Sequence, residues 1–179
     1  MCVRALALVP SLAAALVMAL SGAIPATAAP AAPAITVRLL DGGKTFDSRS
    51  LLGKKVLLVR FQASWCKVCA EELDDIQRVH DTYGPRGVQV IAIHVQDAEA
   101  DARSFLGKAG ATYPAGLDPK LRIANRFGFK GTPYTVVVDK RGEIAARIHG
   151  SATELRMRAA LDPLLERRPA KKPPPKRLR

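Results

Sequence analysis

Hydrophobic and polar positions change period several times along the chain, and each change marks a predicted element. "VLLVRFQA", 56–63, is a nearly continuous apolar run with β-branched residues and predicts a buried strand. In "EELDDIQRVHDTYG" the apolar positions move to helical spacing at Leu73, Ile76 and Val79, and stop at Gly84-Pro85. "GVQVIAIHV" predicts a second strand over 88–95, and "DAEADARSFLGKAG" a second amphipathic helix. Two strands joined through a helix imply a parallel pair with a right-handed crossover. "LDPKLRIANRFG" has a helix start at Asp118-Pro119 and a stop at Gly128. "TPYTVVVDKRGEIAARIHG" reads as a hairpin turning at Lys140-Arg141-Gly142. The closing "SATELRMRAALDPLLERR" predicts a helix with Ser151 as its cap and a Ser151/Glu154 capping box. Ahead of all these, "ITVRLLDGGKTFDSRSLLGK" predicts a short hairpin around Asp41-Gly42-Gly43. After that hairpin the expected order is β-α-β-α-α-β-β-α.

One position breaks the pattern. Arg60 and Gln62 share one face of the first long strand, with Val59 and Phe61 on the other. A charge in a central strand needs a partner, and Glu72 and Asp97 are the candidates.

Composition divides the chain further. The opening 28 residues carry one cation, Arg4, then an uncharged apolar stretch and an Ala26-Thr27-Ala28 cleavage pattern. They read as a signal peptide cleaved near Ala29, or else as an N-terminal anchor, and place the rest in an exported, periplasmic setting. The net charge of +12 is mostly terminal. Residues 167–179 hold seven Lys and Arg and no acid, and with Arg4 set aside the body keeps only four net positive charges. "RRPAKKPPPKRLR" has the proline and charge content of a disordered tail, open to contact with an anionic surface or an acidic partner. Nucleic acid is excluded as a partner by the export and by the lack of aromatic-basic interleaving. Residues 35–166 make one ordinary domain.

Loss of the first segment removes Cys2 and leaves one pair, in "FQASWCKVCAEEL". A redox couple, a metal site and a structural staple are the alternatives. A staple across two residues constrains little unfolded chain. For metal, Cys66, Cys69 and His94 could together hold Cu(I), as in a copper metallochaperone, while His80, His94 and His149 show no zinc spacing. For redox, Cys66 falls in the first turn of a helix, where free N–H groups favour an anion, and Lys67 adds a cation, so Cys66 is the expected attacking sulfur. Cys69, three residues on and nearer the core, is the expected resolving sulfur. The couple itself is then the redox centre, with neither cofactor nor metal expected.

"FQASWCKVCAEEL", the 96–127 segment, "GFKGTPYTVVVDKRGEI" and the exported context resemble the TlpA/ResA-like thiol-disulfide oxidoreductases of the thioredoxin superfamily, from about Ile35 to Leu165. The resemblance implies an α/β thioredoxin fold with an N-terminal β-hairpin and a strand-helix insertion over 96–127. It implies that Trp65 packs beside the disulfide on the docking surface, and that Pro133 is a cis-proline whose preceding Thr132 pairs with extended substrate. Glu72 matches the acid of a C-x-x-C-x-x-E pattern, placed to handle the proton of Cys69. Clients would be proteins with cysteine pairs, reduced for example in cytochrome c maturation or at a copper-site protein, with electrons from a membrane thiol reductase. A peroxide-reducing relative is a further possibility, weakened by the lack of a threonine-containing segment before Cys66. Three positions depart from the family. Asp74 stands where a proline kinks the active-site helix, so no kink is expected; Val68 replaces a frequent proline; Arg60 occupies the place of a buried acid and, with Lys67, is expected to tune the site.

Overall fold

A computed structural model describes residues 29–166. The expected signal or anchor segment, 1–28, and the basic tail, 167–179, lie outside the described residues.

The apolar run forms strand β3, Val56–Gln62, buried at every position. It lies at the centre of a five-stranded sheet of order β5-β4-β3-β6-β7. Strand β4, Val88–Val95, runs parallel to β3, and β5, Ala115–Asp118, runs parallel to β4. Strands β6, Tyr134–Val138, and β7, Ile144–His149, complete the sheet as an antiparallel hairpin on the other side of β3. Helices α2, Leu73–Tyr83, and α3, Glu99–Lys108, are successive crossovers of the β3-β4-β5 run and pack on one face. Helix α5, Glu154–Glu166, joins them there, tied by the Tyr83 hydroxyl donating to Asp162 at 2.8 Å. The short α4, Arg122–Arg126, precedes Phe127 and Phe129, whose rings lie 5.6 and 6.0 Å from Phe61 on the opposite face. Continuous burial of β3 and β4 is what a parallel sheet covered on both faces demands of its strands.

The front hairpin forms as expected, with β1, Thr36–Arg38, against β2, Thr45–Asp47. It docks on β5: Leu40 N–H donates to Ala115 at 2.8 Å, and Leu39 bridges Gly116. Strand β5 corrects the expected element order, and the segment 96–127 runs helix-strand-helix rather than strand-helix. "AGLD" is short, flanked by Pro114, and contains a glycine that reads as a breaker. Packing explains that glycine, since a Cβ on Gly116 would lie 2.6 Å from Val37 Cγ2.

Helix α4 also starts later than Asp118-Pro119 suggests. Asp118 turns inward and its carboxylate accepts from the N–H groups of Arg122, Ile123 and Ala124 at 2.7–2.8 Å, while Leu121 takes a left-handed φ of 56° to make the bend.

Candidate active site

Cys66 ends the turn from β3 into helix α1, Lys67–Glu71, Cys69 lies within that helix, and the two are joined as a disulfide. Cys66 is the N-cap: its extended backbone ends the turn, and its Sγ accepts from the N–H of Cys69 at 3.1 Å. Cys66 is 7% exposed and Cys69 is fully buried, so one sulfur borders solvent and the other lies behind it. Trp65, 62% exposed, projects beside Cys66 rather than into the core, and Val68 is exposed as well. Lys67 points to solvent, with Glu71 3.9 Å from its ammonium.

The active-site helix does break, without the proline. Glu72 separates α1 from α2 with φ −105° and ψ 5°, and its side chain shows why. Oε2 accepts from the Arg60 guanidinium at 2.5 Å; Oε1 accepts from Ala152 N–H at 2.8 Å and from the Ser151 hydroxyl. A carboxylate pulled inward by three donors from β3 and the α5 approach does what a missing N–H does at proline. The Ser151/Glu154 capping box does not form: α5 begins only at Glu154, whose N–H donates to Asp75 at 3.1 Å, and Ser151 lies ahead of the helix with its hydroxyl donating to Glu72.

Arg60 is completely buried. Besides Glu72 it donates to the Thr135 hydroxyl on β6 at 3.0 Å, and its Nε has no partner. Burial pulls the guanidinium below its ordinary pKa, opposed chiefly by Glu72. Tyr113, packed beneath the same strand face, is pushed up to about 12 by burial.

Asp97, the other candidate partner of Arg60, serves elsewhere. It accepts from Ser64 N–H at 2.8 Å, from the Ser64 hydroxyl at 2.7 Å, and from His94 Nδ1 at 2.8 Å. His94 Nε2 accepts from the Gln62 amide at 2.9 Å. Both ring nitrogens of His94 are thus engaged, which removes it from the Cys66-Cys69-His94 copper set; among the described residues no group of three or more His, Cys, Asp and Glu could hold a metal ion. Burial lowers the His94 pKa despite Asp97 and so favours the neutral ring. The segment 64–72 is consequently clamped at both ends, at Ser64 by Asp97 and at Glu72 by Arg60, Ser151 and Ala152.

Pro133 is cis to Thr132 and buried, with Thr132 half-buried. Because Phe61 pairs with Tyr134 in antiparallel register, Pro133 stands at the same end of the sheet as the turn that follows Gln62. Spacing alone could not have found Ser151, Ala152, Thr135 or Tyr113. The one signal toward them was the arginine that had to be paired.

Known proteins resemble this chain in sequence and in fold. The AhpC/TSA family model matches residues 28–147. The thiol:disulfide interchange protein HelX of Rhodobacter capsulatus is 33% identical over 135 residues, covering 75% of this chain and 74% of that protein. The thiol-disulfide oxidoreductase ResA of Bacillus anthracis is 28% identical over 123 residues, 69% of this chain and 70% of that one. Among solved structures, a thioredoxin-family thiol:disulfide interchange protein from Chlorobium tepidum superposes with TM-score 0.69 at 26% identity, covering 76% of this chain and 97% of that chain. A DsbF homologue from Corynebacterium diphtheriae gives 0.69 at 27%, with 77% and 88% covered. With its cysteine pair capping the helix after the central strand, the chain belongs to the AhpC/TSA family, as a TlpA/ResA-like thiol-disulfide oxidoreductase of the thioredoxin superfamily.

Proposed function

We propose that the protein works in an exported, periplasmic compartment as a reductant of client cysteine pairs, as in cytochrome c maturation, and is itself recharged by a membrane thiol reductase. The observation that carries the reading is the inequality of the two sulfurs: Cys66 caps the helix and borders solvent, whereas Cys69 is sealed behind it. In the reduced protein the Cys66 thiolate attacks one sulfur of a client disulfide, forming a mixed disulfide and releasing the other client sulfur, which takes a proton. The Cys69 thiolate then attacks Cys66 Sγ. The second client sulfur leaves as a thiol, and two electrons and two protons have passed to the client. Trp65 and the backbone at Thr132 before cis-Pro133 are the groups we assign to client docking.

Cys69→Ser is expected to accumulate mixed disulfides with client proteins on non-reducing gels, and Cys66→Ser is not; trapping through Cys69 alone would reverse the roles. The reduction potential of the pair decides direction, since a couple more oxidising than its compartment's thiol pool cannot act as reductant.

We assign Arg60, Glu72 and Lys67 to tuning. Arg60 and Lys67 are cations on either side of the cysteine segment and favour thiolate in the reduced state; Glu72, also our candidate to handle the proton of Cys69, fixes the helix break behind it. Arg60→Leu is expected to lower the reduction potential. In a cycle with Glu72→Gln the two effects should be non-additive, and additive effects would separate Arg60 from Glu72 in function.

A further inference from the structure

The carboxyl ends of β3, β4 and β5 face the same way, so the loops that follow them surround the disulfide end of the sheet. Charge is distributed unevenly there. From Pro119 to Val138 the chain carries Lys120, Arg122, Arg126 and Lys130 and no acid at all. All four are exposed, and none makes an ion pair among the described residues. Arg122 and Arg126 are one helical turn apart on α4. Lys130 lies between Phe129, which packs on Phe61 at the end of β3, and cis-Pro133.

Most acids at this end are occupied, while Asp74 and Asp101, in the first turns of α2 and α3, are exposed without an ion pair among the described residues. Asp118 points inward onto the N–H groups of α4, Asp97 is buried on Ser64 and His94, and Glu99 is held by Arg103 at 2.7 Å. Glu71 stands 3.9 Å from Lys67. A row of four unneutralised cations therefore runs from the end of β5 to the cis-proline, while the other side of the cysteines offers the apolar Trp65 and Val68.

We infer that this row is a client-selecting rim: the protein prefers cysteine pairs whose neighbouring residues are acidic, with those residues laid along α4 and the 127–132 loop while Cys66 engages the sulfur. The inference rests on the thiol-exchange reading above and adds the chemistry of the partner. Exposed charges of this kind act through encounter more than through final affinity, so the effect belongs in the rate of mixed-disulfide formation and is sensitive to salt.

The test uses the reduced mature protein and one disulfide-bonded peptide made in three versions, its cysteines flanked by Glu, by Gln or by Lys. Oxidation of the protein by each peptide is followed by thiol trapping. At low ionic strength the Glu peptide is expected to react about tenfold faster than the Gln peptide and the Lys peptide more slowly still, an order that collapses toward 1 M salt, where the screening length falls to about 3 Å. The variant Arg122→Glu/Arg126→Glu/Lys130→Glu should reverse the order. Equal rates with all three peptides at low salt, or an order that the variant leaves unchanged, would overturn the rim and leave the exchange reading standing. Failure to react with any of the three would instead overturn the exchange reading itself. If the triple variant folds poorly, the single variants Arg122→Gln, Arg126→Gln and Lys130→Gln decide the matter: each is expected to narrow the Glu-over-Gln preference, and a preference unchanged in all three would overturn the rim.

Discussion

The two faces of β3 are equally buried and are built on opposite principles. On one, Val59 and Phe61 meet apolar groups, with Phe127, Phe129 and Tyr134 around the Phe61 ring at 5.6–6.0 Å. On the other, Arg60 and Gln62 are at 0% exposure and find partners on β4, on β6 and at the α1–α2 break. The apolar face would tolerate any well-packed set of side chains of similar volume. The polar face depends on its pairs, with Arg60 Nε and Gln62 Oε1 already unpartnered, because a buried charge or amide that loses its remaining partner costs more than a lost apolar contact. Rigidity at the cysteine segment follows from the second principle: its two ends are fixed by directional bonds to the polar face, whereas apolar packing alone would let the turn slide.

The comparison predicts unequal tolerance. Removing one member of the buried pair, as in Arg60→Ala, is expected to cost about 3–5 kcal/mol in urea unfolding, because Glu72 is left buried without its guanidinium. Replacing both members by apolar or neutral groups, Arg60→Met with Glu72→Gln, should recover much of that loss. On the other face Val59→Ala, which deletes two buried methyl groups, is expected to cost about 2 kcal/mol, at ~0.8 kcal/mol per group with a small cavity term added. A Val59→Ala loss as large as that of Arg60→Ala would mean that packing and not pairing holds the strand.

The same contrast explains what could be read from the chain. Apolar periodicity gave β4 its bounds, Val88–Val95, and all of β3 with Ala63 in excess, because burial on both faces writes itself into neighbouring positions. The cysteine pair was legible from its local spacing, and cis-Pro133 from the family resemblance of the segment around it. Strand β5 was not, since what makes "AGLD" a strand is the edge of β4 and the docked front hairpin, both far away in sequence. The Ser151/Glu154 spacing misled for a related reason. Helix α5 starts only at Glu154, whose N–H is taken by Asp75 from α2, and Ser151 before it donates its hydroxyl to a buried carboxylate 79 residues earlier. Likewise Asp74 in place of proline suggested an unbroken helix, and the break arises instead from the pull of Arg60, Ser151 and Ala152 on Glu72.

The smallest expected effect lies at the Ser64 end of the clamp and is read through pH. His94 accepts a hydrogen bond from the Gln62 amide on Nε2 and donates from Nδ1 to Asp97, so a second ring proton would set donor against donor at 2.9 Å. Burial adds to this and lowers the folded-state pKa, with Asp97 opposing it only in part. The unfolded chain protonates the same ring near the ordinary value of about 6.5. Stability from this group is therefore fully present above about pH 6.5 and declines as pH falls toward the folded pKa, because the unfolded state then binds the extra proton. One proton limits the slope to about 1.4 kcal/mol per pH unit. Urea unfolding between about pH 6.5 and 5, above the range where most carboxylates titrate, isolates the effect. His94→Gln should be less stable at pH 7 and flatter across that window. If both proteins lose stability in parallel, the proton is taken up elsewhere, and the Asp97 end of the clamp is held independently of the charge state of His94.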